Sequence, residues 1–271
     1  METLLSGLAM VESARWHDGR LWFAHWGVGE VVAVDLDGNA EVMAPGPAQM
    51  GWAIDWLPDG RLVTTGDAVR VDGTVLREGG ANEVVVDRRG RVYVDGFDGD
   101  FSFTTPGWID LVEPDGTSRR VAGDIRFPNG MVATPDGSTL VIAESVGGCL
   151  TAFDIHDDGS LGGRRTWAEG LGPDGIAIDD EGGIWAQTAD TFAHSGDPDA
   201  PAGAVVRVLD GGEITHRVET PMPCFACAVG DGRLFLLCNE WEGIEKAAEV
   251  QARRSSRIYV AEIPELTTGP R

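Results

Sequence analysis

The stretch NGMVATPDGSTLVIAES, Asn129 to Ser145, decides the fold. It is an apolar run, a turn containing Gly137, and a second apolar run. Its apolar residues lack helical spacing, so it reads as a β-hairpin. The same unit occurs as ESARWHDGRLWFAHW from Glu12, GWAIDWLPDGRLVTT from Gly51 and NEVVVDRRGRVYVDG from Asn82. It returns as DGIAIDDEGGIWAQT from Asp174 and FACAVGDGRLFLLCN from Phe225. The turn glycines are Gly19, Gly60, Gly90, Gly137, Gly182 and Gly232, separated by 41, 30, 47, 45 and 50 residues. Strand pairs recurring at that period are the mark of a propeller blade.

Weaker strand pairs lie between the copies, such as VVAVDLDGNAEVM from Val31 and DLVEPDGTSRRVA from Asp110. They supply the outer two strands of each blade. The sequence therefore predicts an all-β protein: a six-bladed β-propeller of four-stranded antiparallel blades around a central channel. It is expected to be a single domain over residues 1–271. RIYVAEI near Arg257 is expected as a late strand of blade six. Thr3 to Met10 is expected to complete that blade and remove the open edges of the ring. The clearest helical stretch is short, Trp241 to Gln251.

Of 271 residues, 42% are hydrophobic and 24% charged, an ordinary globular balance. No apolar run approaches the roughly 18 residues of a membrane helix. The formal net charge of −23 repels nucleic-acid phosphates and anionic lipid, so neither is an expected partner. A small molecule or a cation is. The oligomeric state is not readable. The N-terminal stretch has no basic region followed by an apolar core, so a cytoplasmic protein is expected. The four cysteines, Cys149, Cys224, Cys227 and Cys238, are too few for a disulfide framework. Cys224 and Cys227 form a C-x-x-C pair without a second pair or nearby histidines, so they are read as buried strand thiols. The Asp-Gly turns do not make a calcium loop. Counting from Asp154, the third position is His156 and the twelfth Arg165.

In a propeller the innermost strands line the channel, so polar side chains that open each repeat converge on the axis. Those positions hold Glu12, Asn82, Asn129 and Asp174, while blades two and six offer Met50 or Gly51 and Phe225. Asn occurs four times in the chain, and two of the four fall here. Oxygen donors without sulfur suit a hard divalent cation such as Ca²⁺, Mg²⁺ or Mn²⁺, with Zn²⁺ less natural. The competing reading is that these side chains cap strand ends and line a wet channel. The chain has no G-x-S-x-G elbow, H-E-x-x-H, P-loop or dinucleotide fingerprint.

The segments GLAMVESARWHDGRLWFAHW, FPNGMVATPDGSTLVIAES and GPDGIAIDDEGGIWAQT resemble the SMP-30/gluconolactonase/LRE-like family, the group of regucalcin and bacterial sugar lactonases. The resemblance runs over essentially the whole chain. It is carried by the opening Glu with a Trp four residues on, by the Pro-Asn-Gly, and by the Pro-Asp-Gly. It implies a six-bladed propeller holding one divalent cation, Ca²⁺ first, on Glu12, Asn129 and Asp174. It also implies a channel Asn, matched by Asn82, that contacts substrate. The implied activity is hydrolysis of a lactone or related cyclic ester. There, water activated by the metal attacks a carbonyl that the metal polarises, with Asp174 as base or nucleophile. The chain departs from the family at Gly80, where sugar lactonases carry Arg, at Glu83, where they carry Asp, and at His25, where Asp is usual.

His25, Trp26, Phe97, Phe101, Phe103, Trp108, His194 and Trp241 fall at the ends of second strands or in the loops that follow. They are candidates for an aromatic rim, with His25, Trp26, Phe97, Trp108 and His194 as substrate contacts beside Asn82. The alternatives are a non-catalytic binding propeller like those of NHL repeats, and the same metal propeller used for organophosphate hydrolysis or a non-hydrolytic biosynthetic step.

Overall fold

Each repeated turn closes a hairpin, and all six turn glycines have positive φ, from 69° to 88°. A side chain in that region is strained, which is why Gly recurs there. In this computed structural model, residues 1–47, 49–98, 105–188 and 203–263 are described. After β1 (Glu2–Leu8), blade one is β2 (Val11–His17), β3 (Arg20–His25), β4 (Glu30–Val34) and β5 (Ala40–Pro45). Blade two is β6 (Ile54–Trp56), β7 (Leu62–Thr64), β8 (Gly66–Val71) and β9 (Thr74–Ala81). Blade three is β10 (Val84–Val86), β11 (Val92–Gly96), β12 (Gly107–Val112) and β13 (Ser118–Ile125). Blade four is β14 (Pro128–Ala133), β15 (Thr139–Glu144), β16 (Cys149–Ile155) and β17 (Leu161–Glu169). Blade five is β18 (Ala177–Ile178), β19 (Ile184–Gln187), β20 (Ala204–Val208) and β21 (Ile214–Glu219). Blade six is β22 (Cys224–Gly230), β23 (Arg233–Cys238) and β24 (Ser256–Glu262), with β1 as its fourth strand.

All six sheets are four-stranded and antiparallel, so the predicted six-bladed propeller is the fold. The closing strand runs antiparallel to β24, from Glu2 against Val260 to Leu8 against Ser256. It ends sooner than the sequence predicts, because Met10 turns the chain with a φ of 56° and its N–H binds Ser256 Oγ at 3.0 Å. The helix α1 spans Ala247–Arg253 after a 3-10 turn at Ile244–Lys246. It starts later than the predicted Trp241, since Gly243 has a φ of 96°. It stops where Arg254 turns left-handed.

The apolar core is divided among the blade interfaces. Val11, Phe23 and Val32 of blade one pack on Phe235, Leu237 and Ile258 of blade six. Val141 and Leu150 of blade four pack on Ile184 and Val206 of blade five. A blade covered on both faces needs apolar residues at successive positions, which is why β3 and β15 read as continuous apolar runs. Cys224, Cys227 and Cys238 lie buried between blades five and six, and burial pushes the Cys224 and Cys227 thiols up. They are packing thiols, as the sequence predicts.

A polar side chain joins the two ends of the ring at its centre. Asn239, fully buried at the end of β23, accepts the Val11 N–H at 2.9 Å and donates to Val11 O at 2.9 Å. Asn239→Ala would leave two buried backbone groups beside Glu12 without partners. We expect a loss of about 2–4 kcal/mol, read as a lower denaturant midpoint at constant slope. An unchanged midpoint would show that water replaces the amide at no cost.

Candidate active site

The channel mouth is built by one repeated device. At the end of each second strand stands a polar residue that accepts a backbone N–H where an innermost strand begins. His25 Nε2 takes Ala9 N–H at 2.9 Å, and Thr65 Oγ1 takes Ala53 N–H at 2.7 Å. Asp95 Oδ1 takes both Asn82 N–H and Glu83 N–H, at 2.8 and 2.7 Å. Glu144 Oε2 takes Arg126 N–H at 2.8 Å, and Gln187 Oε1 takes Asp174 N–H at 2.9 Å. Asn239 does the same for Val11 in the next blade. These caps hold the opening residues of the repeats, and so aim the side chains that follow. Sequence reading missed five of the six. The available signal was a polar residue at one repeat position in every copy.

Blades four, five and six approach each other through glycine. Gly130 N–H donates to Asp174 O at 3.2 Å, and a Cβ on Gly130 would stand 2.5 Å from that oxygen. Gly175 N–H donates to Phe225 O at 2.7 Å, and Cys227 N–H donates to Gly175 O at 3.2 Å. A Cβ on Gly175 would lie 2.7 Å from Glu12 Oε1 and 2.7 Å from Ala226 Cβ. The glycines of Pro-Asn-Gly and Pro-Asp-Gly thus allow the carboxylate of blade one to reach blade five.

Glu12, Asn129 and Asp174 are brought together there, all at most 5% exposed. Asn129 hydrogen-bonds Asp174 through its side chain, and its Oδ1 accepts Gly130 N–H at 3.0 Å. Glu12 Oε2 accepts the Ser13 N–H. Burial, then the neighbouring Asp174, pushes the Glu12 carboxyl well above the usual range. Burial, then Glu83, does the same to Asp174, against the Asn129 hydrogen bond. Five buried oxygens here have no hydrogen-bond partner among the described residues: Glu12 Oε1, Asn82 Oδ1, Glu83 Oε1, Asp95 Oδ2 and Asp174 Oδ2.

Glu83 is a site residue that sequence reading noted only as a departure. It is 1% exposed, and burial followed by Glu12 raises its pKa. Asp95 behind it is pushed up to about 7 by burial, against the N–H groups it accepts. Among the described residues no three His, Cys, Asp or Glu side chains gather as a metal-ligand set. The predicted set differs in kind: two carboxylates with one amide. An all-oxygen group holding unpartnered buried lone pairs fits a hard divalent cation.

The predicted rim residues that are described each have local partners of their own. His25 is engaged as a cap, its Nδ1 is 3.8 Å from Glu30 Oε2, and burial lowers its pKa to about 4. Trp26 is buried and donates its Nε1–H to Trp52 O at 2.7 Å. Phe97 meets Phe127 edge-on, at 5.9 Å between ring centres. Trp108 donates to Asp110 Oδ2 at 3.0 Å, with the Arg120 guanidinium 3.7 Å over its ring. Trp241 packs edge-on against Phe225. His194, Phe101 and Phe103 lie outside the described residues.

Residues 11–236 match the family described as SMP-30/Gluconolactonase/LRE-like region. A 6-deoxy-6-sulfogluconolactonase of Pseudomonas putida is 26% identical over 120 residues, which are 42% of this chain and 38% of that protein. The match thus spans well under half of that relative. A luciferin-regenerating enzyme of known structure superposes with a TM-score of 0.77 at 13% identity, covering 99% of this chain and 97% of its own. The calcium-binding protein regucalcin from Agrobacterium tumefaciens superposes with a TM-score of 0.73 at 19% identity, covering 99% and 96%. At such identities the superpositions speak for the fold. With the family match across most of its length, the chain belongs to the SMP-30/gluconolactonase/LRE-like family.

Proposed function

We propose that this protein is a divalent-cation-dependent hydrolase of a lactone or related cyclic ester. The observation that carries the reading is the group of buried, unpartnered oxygens at the channel mouth. The family match and the sulfogluconolactonase relative support the substrate class. In this reading Glu12, Asn129 and Asp174 hold the ion, with Ca²⁺ as first choice because regucalcin is calcium-binding. When bound, a divalent cation supplies Lewis-acid polarisation of the ester carbonyl and lowers the pKa of water. Asp174 accepts at Oδ2 the proton that leaves the attacking water. Gln187 keeps the Asp174 backbone in place, with its Nε2 on Gly175 O at 2.8 Å. Asn82 orients the substrate by accepting a hydroxyl hydrogen bond at Oδ1. Gly80 offers no side chain, so the clamp on a sugar hydroxyl found in sugar lactonases is missing. This argues for a lactone recognised mostly by shape and apolar contact, with Trp26 and Phe97 proposed as parts of that wall. His25 and Trp108 serve the scaffold in this reading: His25 holds the Ala9 N–H, and Arg120 covers the Trp108 ring.

A panel of sugar, aliphatic and aromatic lactones with added Ca²⁺, Mg²⁺, Mn²⁺ or Zn²⁺ tests the activity. Asp174→Asn and Asn129→Ala are expected to lower kcat/KM by about 10²–10⁴-fold, with one bound ion per chain lost and circular dichroism unchanged. Full hydrolysis in both variants, or no hydrolysis of any lactone, would refute the reading.

Stability should also depend on pH in a definite direction. Asp95, with Glu12, Glu83 and Asp174, binds protons more tightly folded than unfolded, where carboxylates titrate near about 4. That contribution is complete below about pH 4 and is lost as pH rises through the folded pKa, about 7 for Asp95. His25 acts oppositely: its pKa is depressed to about 4, so its contribution is lost as pH falls from the usual 6.5. With chelator present, Tm should therefore fall between pH 6.5 and 8. Excess Ca²⁺ should remove that fall, and Glu12→Gln should reduce it. A Tm that rises over this interval in chelator would contradict the assignment.

A further inference from the structure

One charged side chain at the site has no part in the chemistry above. Arg15 leaves β2 of blade one and reaches past blade two to blade three. Its Nη1 donates to Ala14 O and its Nη2 to Val84 O, both at 3.0 Å. Nη2 also lies 4.0 Å from Glu83 Oε2, and the side chain is 15% exposed. The guanidinium is thus fixed by two carbonyls from different blades, beside a buried carboxylate.

Among the described residues, the other charges that act on Glu83 are negative. Its neighbours Glu12, Asp95 and Asp55 all disfavour its ionised form. Asp95 accepts two backbone N–H groups at Oδ1 alone, and Asp55 accepts those of Trp56 and Val86. Arg15 is the positive group that offsets Glu83, and its field reaches Glu12 as well. When ionised, Glu12, Glu83 and Asp174 carry three negative charges at the channel mouth, and Arg15 carries one positive. Arg15 thus lowers the negative charge at the mouth by one unit.

We propose that Arg15 is a built-in counter-charge to Glu83, which weakens the negative field at the channel mouth and so favours a divalent over a trivalent cation there. The proposal rests on the reading that Glu12, Asn129 and Asp174 hold a cation. It makes Arg15 a selectivity residue with no contact to substrate. It also accounts for the departure at Glu83: the longer carboxylate stands with an arginine three residues after Glu12.

Calorimetric titration of Ca²⁺ and Tb³⁺ at fixed ionic strength tests this, using Arg15→Met, Arg15→Gln, Glu83→Gln and the Arg15→Met/Glu83→Gln double variant. Either Arg15 substitution should tighten Ca²⁺ binding by at least about tenfold, and Tb³⁺ binding by more. Glu83→Gln should weaken Ca²⁺ binding by about tenfold and lower the preference for Tb³⁺. The double variant should return to within about threefold of the unaltered protein, because its charge balance is restored. Unchanged affinities in the Arg15 variants overturn the proposal. So does a double variant as weak as Glu83→Gln alone, which would make Glu83 a direct ligand. Should the Arg15 variants fail to fold, Glu83→Gln decides by itself, and an unchanged Tb³⁺ to Ca²⁺ ratio overturns the proposal. An unaltered protein that binds neither ion overturns the cation reading, and this proposal with it.

Discussion

Two carboxylates, Glu12 and Asp174, are held out of water beside each other, and like charges so placed repel. The rest of the channel mouth is arranged so that this costly contact persists. Glycine at positions 130 and 175 lets three blades approach at backbone distance. Gln187 and Asn239 fix the strands that carry the two acids. Such an arrangement is unfavourable as a protein interior and useful as a binding place.

The fold was legible because the repeat is a physical necessity. A blade cannot bury its two faces alone, so each copy must carry the same apolar runs and the same turn. Gly19, Gly60, Gly90, Gly137, Gly182 and Gly232 all take the left-handed backbone that their place in the repeat implied. The convergence of Glu12, Asn129 and Asp174 was legible for a related reason: each opens a copy, and the symmetry of the ring brings opening positions to one axis. Glu83 was not. It follows an opening residue by one, where strand alternation would turn it from the channel, and Asp95 re-aims it by accepting two successive N–H groups.

Arg15 and the caps were illegible for another reason. Arg15 lies past an irregularity of β2, where the register jumps between Glu12 and Arg15 and Ser13 has a φ of 52°. Simple alternation fails across such a bulge. His25 stands where a ligand would stand, yet its ring nitrogen answers a backbone amide from before β2. Sequence shows that a polar side chain sits at that level. Whether it turns to the axis or to the backbone depends on the path of a neighbouring strand.

The antiparallel pairing of β1 with β24 joins Glu2 to Val260. On a ribosome, β1 must wait for β24 before it gains its partner. Until then blade six lacks a strand, and blade one lacks the complete neighbour that buries Phe23 and Val11. The nascent chain therefore carries an open, apolar arc until β24 has emerged. Assembly of the circle, rather than formation of any hairpin, should set the pace of maturation and the period of greatest exposure to aggregation.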